Sequence, residues 1–314
     1  MKKKGKRQME KRQENHNFLI SGTAADGFLR IIGAETTDVV NSALQIHQTA
    51  PTATAALGRV LTGTVLMSKE MKNQTDRLTV QVKGKGPIRG ITAVSRISNE
   101  NGSAGNLNGV FVKGYAENPA ADLPLREADG KLDVGGVVGK GFLSVIMDLG
   151  LKEPYLGTVP LISGEIAEDL SYYYAVSKQI PAAVSLGVLI GQDLRVLKAG
   201  GFMLQLLPGA PETLITELEN RISALPSVTT LLRAGAAMEN ILEDVTKGYD
   251  LVISDKMPCA YECDCSRERM KQALCSIGKE ELRKIMEKDH GAELCCHFCN
   301  RKYDFTEKDL ASLL

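Results

Sequence analysis

Tryptophan is absent from this 314-residue chain, and aromatics reach only 5%. Stacking platforms for single-stranded nucleic acid are therefore not expected. Net charge is missing too: 38 basic residues cancel 38 acidic ones, which removes the electrostatic footprint of a nucleic-acid-binding chain. No uninterrupted apolar run reaches the roughly 18 residues a membrane span needs. The N-terminus is charged throughout and has no apolar stretch of the secretory kind. The expected address is cytoplasmic, with neither nucleic acid nor membrane as partner. Catalytic signatures are wanting as well. Gly84-Lys85-Gly86-Pro87-Ile88-Arg89-Gly90 places its third glycine one position late for a dinucleotide loop. Gly139-Lys140-Gly141 lacks the Ser or Thr that follows the lysine of a P-loop. There is no nucleophile elbow or HExxH, and only four histidines. The chain is not expected to be an enzyme.

Cysteine is missing from the first 258 residues, then appears seven times: Cys259, Cys263, Cys265, Cys275, Cys295, Cys296 and Cys299. A disulfide scaffold spreads its bridges through the fold, whereas clustered cysteines in a cytosolic chain serve metal binding or redox chemistry. Cys263-Asp264-Cys265 is a CxC pair and Cys296-His297-Phe298-Cys299 a CxxC pair. Two close pairs from separate segments suit the four tetrahedral ligands of zinc. Other ligand sets remain open at this point. Cys295 can pair with Cys299, His290 or His297 can replace a sulfur, and Cys259 can join Cys263; four thiolates from the CxC and CxxC pairs are preferred. Cys275 shares a helical face with Met270, Leu274 and Ile277 and reads as a small hydrophobe.

A unit running from residue 259 to 314 is too small to bury a comfortable core. Structural zinc contributes on the order of 10–16 kcal/mol of apparent folding free energy in small peptides, so this unit is expected to fold with its metal. Its ten Lys and Arg against eleven Asp and Glu argue against a nucleic-acid ribbon. Oxidising either cysteine pair removes two ligands, and the tiny loops so closed restore little entropy. Basic neighbours Arg267, Arg269, Lys271, Arg301 and Lys302 favour thiolates, the form oxidants attack. On chemistry alone, inert structural zinc ranks above a redox switch.

The predicted fold is α+β, with 43% hydrophobic and 24% charged residues, as in ordinary globular chains. Residues 1–16 form a basic flexible tail, seven Lys and Arg against Glu10 and Glu14. Residues 17–206 read as a mixed α/β core, with strands expected in RLTVQVKG, IRGITAVSRI, NGVFVKGYAE and GFLSVIMDLG. Helices are expected in TTDVVNSALQIHQ, ATAALGRVLTGTVLMSKEM and IAEDLSYYYAVSKQI, with His47 at the core boundary and Tyr172, Tyr173 and Tyr174 as packing residues. Residues 207–258 form a helical linker. Leu214, Leu218, Ile222 and Leu225 make one apolar stripe there, and Met238, Ile241, Leu242 and Val245 a second. Eight acids against four bases and short helices make this linker dependent on its neighbours. Residues 259–314 are expected to form the zinc-binding unit, which the resemblance below makes a redox switch.

Cys263-Asp264-Cys265-Ser266-Arg267-Glu268-Arg269 followed by Cys296-His297-Phe298-Cys299 and Tyr303-Asp304-Phe305 resembles the redox-regulated thirty-three-kilodalton heat-shock chaperonins. Gly139-Lys140-Gly141-Phe142-Leu143, Ser177-Lys178-Gln179-Ile180-Pro181 and Ala199-Gly200-Gly201-Phe202-Met203 carry the likeness upstream, so it spans residues 17–314. The resemblance implies an ATP-independent holdase, inactive while reduced and zinc-bound, with one zinc on Cys263, Cys265, Cys296 and Cys299. It implies Cys263–Cys265 and Cys296–Cys299 disulfides on oxidation, zinc release, an unfolding linker, capture of unfolding client proteins, and an oxidised homodimer. Cys259, Cys275, Cys295 and the basic tail lie outside the pattern. The competing expectation is an enzyme or adaptor carrying a constitutive zinc ribbon.

Overall fold

A computed structural model describes residues 17–98 and 108–314; the basic tail expected over residues 1–16 lies outside them. The chain opens with β1 (Phe18–Ala24), β2 (Leu29–Glu35), α1 (Thr37–His47) and α2 (Pro51–Met67). Then come β3 (Arg77–Gly84), β4 (Gly90–Ser98), β5 (Gly109–Ala116), α3 (Val134–Val138), β6 (Gly141–Asp148) and β7 (Tyr155–Pro160). They are followed by α4 (Ala167–Tyr173), β8 (Ala182–Ile190) and β9 (Val196–Leu206). Three helices come next, α5 (Glu212–Ala224), α6 (Val228–Arg233) and α7 (Met238–Val245), before β10 (Val252–Tyr261). The C-terminal unit holds α8 (Arg267–Ser276), α9 (Lys279–Asp289), β11 (Gly291–Cys295), β12 (Lys302–Thr306) and α10 (Glu307–Ala311). The fold is α+β, as expected.

One ten-stranded sheet, in the order β7-β6-β3-β4-β5-β10-β1-β2-β9-β8, organises the molecule. Among the described residues every neighbouring pair in it is antiparallel except β10 with β5. In β3 the alternation of Leu78, Val80 and Val82 puts apolar side chains on one face and leaves Thr79, Gln81 and Lys83 on the other. The inward face packs against α2, which is buried nearly all round. Pro51 opens that helix, where its missing N–H costs nothing. The hydroxyls of Thr62, Thr64 and Ser68 donate back to the Gly58, Val60 and Thr64 carbonyls, so these buried polar groups are satisfied.

The half of the sheet formed by β1, β2, β9 and β8 is covered on its second face by α5, α6 and α7. Leu214, Leu218, Val228, Leu232, Met238, Ile241, Leu242 and Val245 close over Ile20, Leu29, Ile31, Phe202 and Leu204. Both expected apolar stripes thus face the sheet, and a further short helix, α6, lies between them. Helices this short do not persist in water alone, so sheet contact holds them. Each fully buried Leu or Ile contributes about 1.5–3 kcal/mol. Small residues set the depth of the seat: a Cβ on Gly33 would stand 2.8 Å from Met238 Cγ, and one on Gly200 3.0 Å from Leu232 Cδ1.

The strand β9 ends at Leu206, and residue 258 falls inside β10. Cys259 accordingly sits in the large sheet, 1% exposed, with its sulfur 3.6 Å from the Glu35 carbonyl oxygen. Tyr173 and Tyr174 are buried packing residues and Tyr172 is partly buried against the same core. The hydroxyl of Tyr174 donates to Glu70. His47 closes α1 at the core boundary.

Replacing Gly33 with Val should lift α7 without touching a cysteine. Hydrogen exchange over residues 238–245 should accelerate while β9 stays protected; unchanged protection would show that the seat tolerates a side chain.

Candidate metal and redox centre

Two short segments converge at the end of β10. The strand delivers Tyr261, and Cys263-Asp264-Cys265 follows before α8, whose first turn is capped by Ser266 Oγ accepting from the Arg269 N–H at 3.3 Å. Across from it, the β11–β12 hairpin carries the second pair at its tip. The Cys296 N–H donates to the Arg301 carbonyl at 2.9 Å, and the Cys299 and Asn300 N–H groups return to the Cys296 carbonyl at 3.2 and 2.8 Å. Asn300 takes φ +56°, a left-handed turn that Asn tolerates. This knuckle turns both sulfurs toward the CxC pair.

The Sγ atoms of Cys263, Cys265, Cys296 and Cys299 all lie within 4.8 Å of one another. Cys263 and Cys296 approach to 3.7 Å, and Cys265 and Cys299 to 3.4 Å. A zinc ion with Zn–S bonds of about 2.3 Å requires sulfur separations of about 3.8 Å, so the donor set and its spacing fit such an ion. Among the described residues no other cluster of this kind is present. The alternatives left open by the sequence fall outside it. Cys295 is exposed, and His290 caps α9 near Glu307 at 3.7 Å. His297 is exposed and stacks on Tyr115, ring centres 5.5 Å apart. Cys275 corrects an expectation: it is exposed, because α8 packs through Met270 and Leu274 while Ile277 stands 46% open.

The unit's own core is small: Leu274, Leu282, Phe305 and Leu310 are its buried apolar residues. So few buried groups leave much for the sulfur cluster to hold. Burial opposes ionisation of Cys265, yet Tyr303 Oη, 3.1 Å away, and the neighbouring thiols outweigh it and bring its pKa to about 7. Burial pushes Cys263 far up instead, and it pushes the isolated Cys259 up to about 12, which leaves that thiol inert. Tyr303 was visible in sequence only as part of a trailing Tyr-Asp-Phe; its hydroxyl contact with a ligand sulfur was not.

Core residues grip the site directly. Asp264, between the CxC sulfurs, pairs with Lys113 Nζ at 2.5 Å and Arg269 Nη1 at 2.6 Å. Burial opposes its charge, but those two cations hold its carboxyl well below the usual carboxylate range. Arg96 pairs with Glu262. Lys113 lies 4.7 Å over the Phe298 ring, and Tyr115 meets the same ring edge-on at 5.2 Å. Asn300 Nδ2 donates to the Ile46 carbonyl at 2.8 Å. The Tyr261 hydroxyl lies 2.6 Å from the Phe298 carbonyl, 2.8 Å from that of Gly114 and 3.2 Å from His47 Nε2. Its single proton serves one acceptor at a time. Burial lowers the pKa of His47 and keeps it neutral there.

A mostly antiparallel sheet is shielded by three short helices and ends in a four-cysteine unit clamped to its middle strands. The sequence profile of the Hsp33 protein family matches residues 17–306. The 33 kDa chaperonin of Acetivibrio thermocellus is 47% identical over 298 residues, covering 95% of this chain and 97% of its own. That of Clostridium perfringens (strain SM101 / Type A) is 46% identical, covering 94% and 90%. The crystal structure of the 33 kDa chaperonin (heat shock protein 33 homolog) of Thermotoga maritima superposes with a TM-score of 0.83 at 38% identity, covering 95% of this chain and 97% of that one. The chain belongs to the Hsp33 family, and its function is that of a chaperone.

Cys296→Ser and Cys299→Ser should each weaken metal binding strongly, whereas Cys275→Ser should leave it unchanged; chelator competition measures both. Loss of metal from the Cys275 variant would overturn the ligand set. The Asp264 pairing has a pH sign as well. Its carboxyl is depressed in the folded chain, so the stabilisation is full above the ordinary carboxylate range and fades as pH falls toward the depressed value. Asp264→Asn should remove that acid sensitivity, read as the pH dependence of hydrogen exchange in residues 263–269.

Proposed function

We propose that the chain is a redox-regulated, ATP-independent holdase and not an enzyme. It is inactive while reduced, with one zinc ion on Cys263, Cys265, Cys296 and Cys299. The observation supporting this is the sulfur cluster itself: four thiols from two segments, spaced for zinc, tie down a unit whose own core is too small to hold it. Zinc, when bound, supplies the folding energy that the apolar residues lack.

The chemistry of opening needs only the four thiolates and an oxidant such as peroxide. Each peroxide takes two electrons from a thiolate pair, one S–S bond forms, and with two protons the oxygens leave as two waters. Two turnovers give Cys263–Cys265 and Cys296–Cys299 and consume all four ligands. The closed rings are small, so they return little of the lost order. Once the cluster goes, Asp264, Phe298 and Asn300 lose their fixed geometry against Lys113, Tyr115 and α1.

The functional division we infer is a core over residues 17–206, a linker over 207–258 and a redox unit over 259–314. The linker helices hold their shape only against the sheet, and Lys256 of β10 ties α7 through Glu239 at 2.5 Å. Disorder entering through the redox unit therefore reaches them along the chain. The apolar stripes so released, and the sheet face beneath them, take unfolding client proteins. The oxidised form is a homodimer acting in the cytoplasm.

Peroxide at raised temperature should release about one zinc per chain, reported by a metal-binding dye. The same treatment should switch on suppression of client aggregation without ATP. A chain that keeps its zinc, or loses it and still fails to protect, would instead carry a constitutive zinc ribbon within an enzyme or adaptor.

A further inference from the structure

A cleft of about 330 Å³, open to solvent, lies where the C-terminal unit meets the outer face of β3, β4 and β5. Its charges do not balance. Arg77, Arg96, Lys113 and Arg269 line it against two carboxylates, Glu262 and Asp264. Asp264 is shared by Lys113 and Arg269, and Glu262 pairs with Arg96. Arg77 is left over. Leu78 pairs with Ser95 across the β3–β4 ladder, which brings Arg77 alongside Arg96. Like charges set side by side on neighbouring strands cost stability. On the other flank Arg77 is in register with Asp148 of β6, but that carboxylate accepts from the Gly150 N–H at 3.1 Å. The carboxylate of Asp76 is likewise taken, by the Lys72 and Asn73 N–H groups at 2.9 and 3.0 Å. Arg77 donates through Nη1, to the Gln74 and Asp76 carbonyls at 2.7 and 2.9 Å. Its Nη2 and Nε meet no acceptor among the described residues.

We propose that this cleft binds a small phosphate-bearing anion, held by Arg77 and Arg96 from the core and by Arg269 from α8. Guanidinium forks match a tetrahedral oxyanion with paired N–H donors. The fork of Arg96 lies 4.4 Å over the Phe111 ring, a cation–π contact that fixes its plane. Its present partner is weak competition: the Glu262 side chain is 46% exposed, and exposed ion pairs add little. A doubly charged anion matches the excess of two cations. The volume admits an anion of a few heavy atoms, at the lower end of small-molecule sites. Neither unit alone supplies all three guanidinium groups. The anion therefore binds the closed form in preference, and by mass action it stabilises that form. Binding stands apart from the holdase reading, whereas its effect on opening rests on that reading: phosphate raises the oxidant dose at which the C-terminal unit lets go.

Inorganic phosphate is titrated into the reduced, zinc-loaded full chain, with chloride holding ionic strength constant, and followed by phosphorus NMR line broadening. Binding should saturate, and Arg77→Gln should weaken it about tenfold or more. Lys83→Gln removes an exposed cation from the same strand but outside the cleft, and should leave the affinity unchanged. Equal losses in the two variants, or no saturation, would show diffuse attraction and refute the site. A parallel titration with glycerol phosphate separates the sources: tighter binding than that of inorganic phosphate assigns the cleft to a phosphate ester, equal or weaker binding to the free anion. Phosphate should also slow peroxide-driven zinc loss severalfold in the unmodified chain and not in the Arg77→Gln variant. Binding that is as tight to the oxidised, zinc-free chain, or that leaves the rate of zinc loss unchanged, would overturn a site built from both units. The titration needs no client. A chain that never suppresses aggregation therefore sinks the holdase reading and leaves the phosphate result to be judged by itself.

Discussion

Four sulfur atoms from two distant segments stand close enough to share one ion, and the C-terminal unit depends on that closeness. Its apolar residues alone make a core of Leu274, Leu282, Phe305 and Leu310 with a few half-buried neighbours. Such a core does not offset the conformational entropy of the whole unit. The knuckle at Cys296–Asn300, the capped start of α8 and the clamp of Lys113 on Asp264 are all arranged around the cluster. The C-terminal unit is thereby organised around four thiols, while the large sheet is stabilised by burial.

The route from that cluster to the rest of the molecule is short and largely main chain. Tyr261 ends β10, touches the carbonyl of Phe298 in the knuckle and Gly114 in β5, and stands two residues before the first ligand cysteine. The strand it ends leads back to α7, which sits over Gly33 and Gly200. The cysteine cluster and the covered apolar surface are joined by one strand of the sheet.

Much of this was legible in the residues. The CxC and CxxC spacing pointed to the four clustered sulfurs, and the alternation of Leu78, Val80 and Val82 announced β3. The stripes at Leu214–Leu218 and Met238–Val245 marked helices that face the sheet. The strands β1, β2 and β9 gave no such signal because helices cover both their faces, and a strand buried on both sides loses its two-residue period. The membership of Cys259 in the sheet was hidden by proximity: four residues before Cys263, it belongs to the strand and not to the cluster. Cys275 misled because helical spacing names a face without saying whether anything packs on it. Tyr303 and Lys113 act through contacts across the fold, which no local pattern encodes.

Met238 adds a consequence of its own. Its thioether is fully buried between α7 and the bare backbone of Gly33, where even a Cβ would stand 3.2 Å from the sulfur. Should α7 lift while peroxide persists, that sulfur meets the same reagent and gains a sulfoxide. The polar group would then no longer fit its seat, and an opening that began as reversible would last until a reductase repaired one side chain. The mass of that residue would record how long the helices had been away.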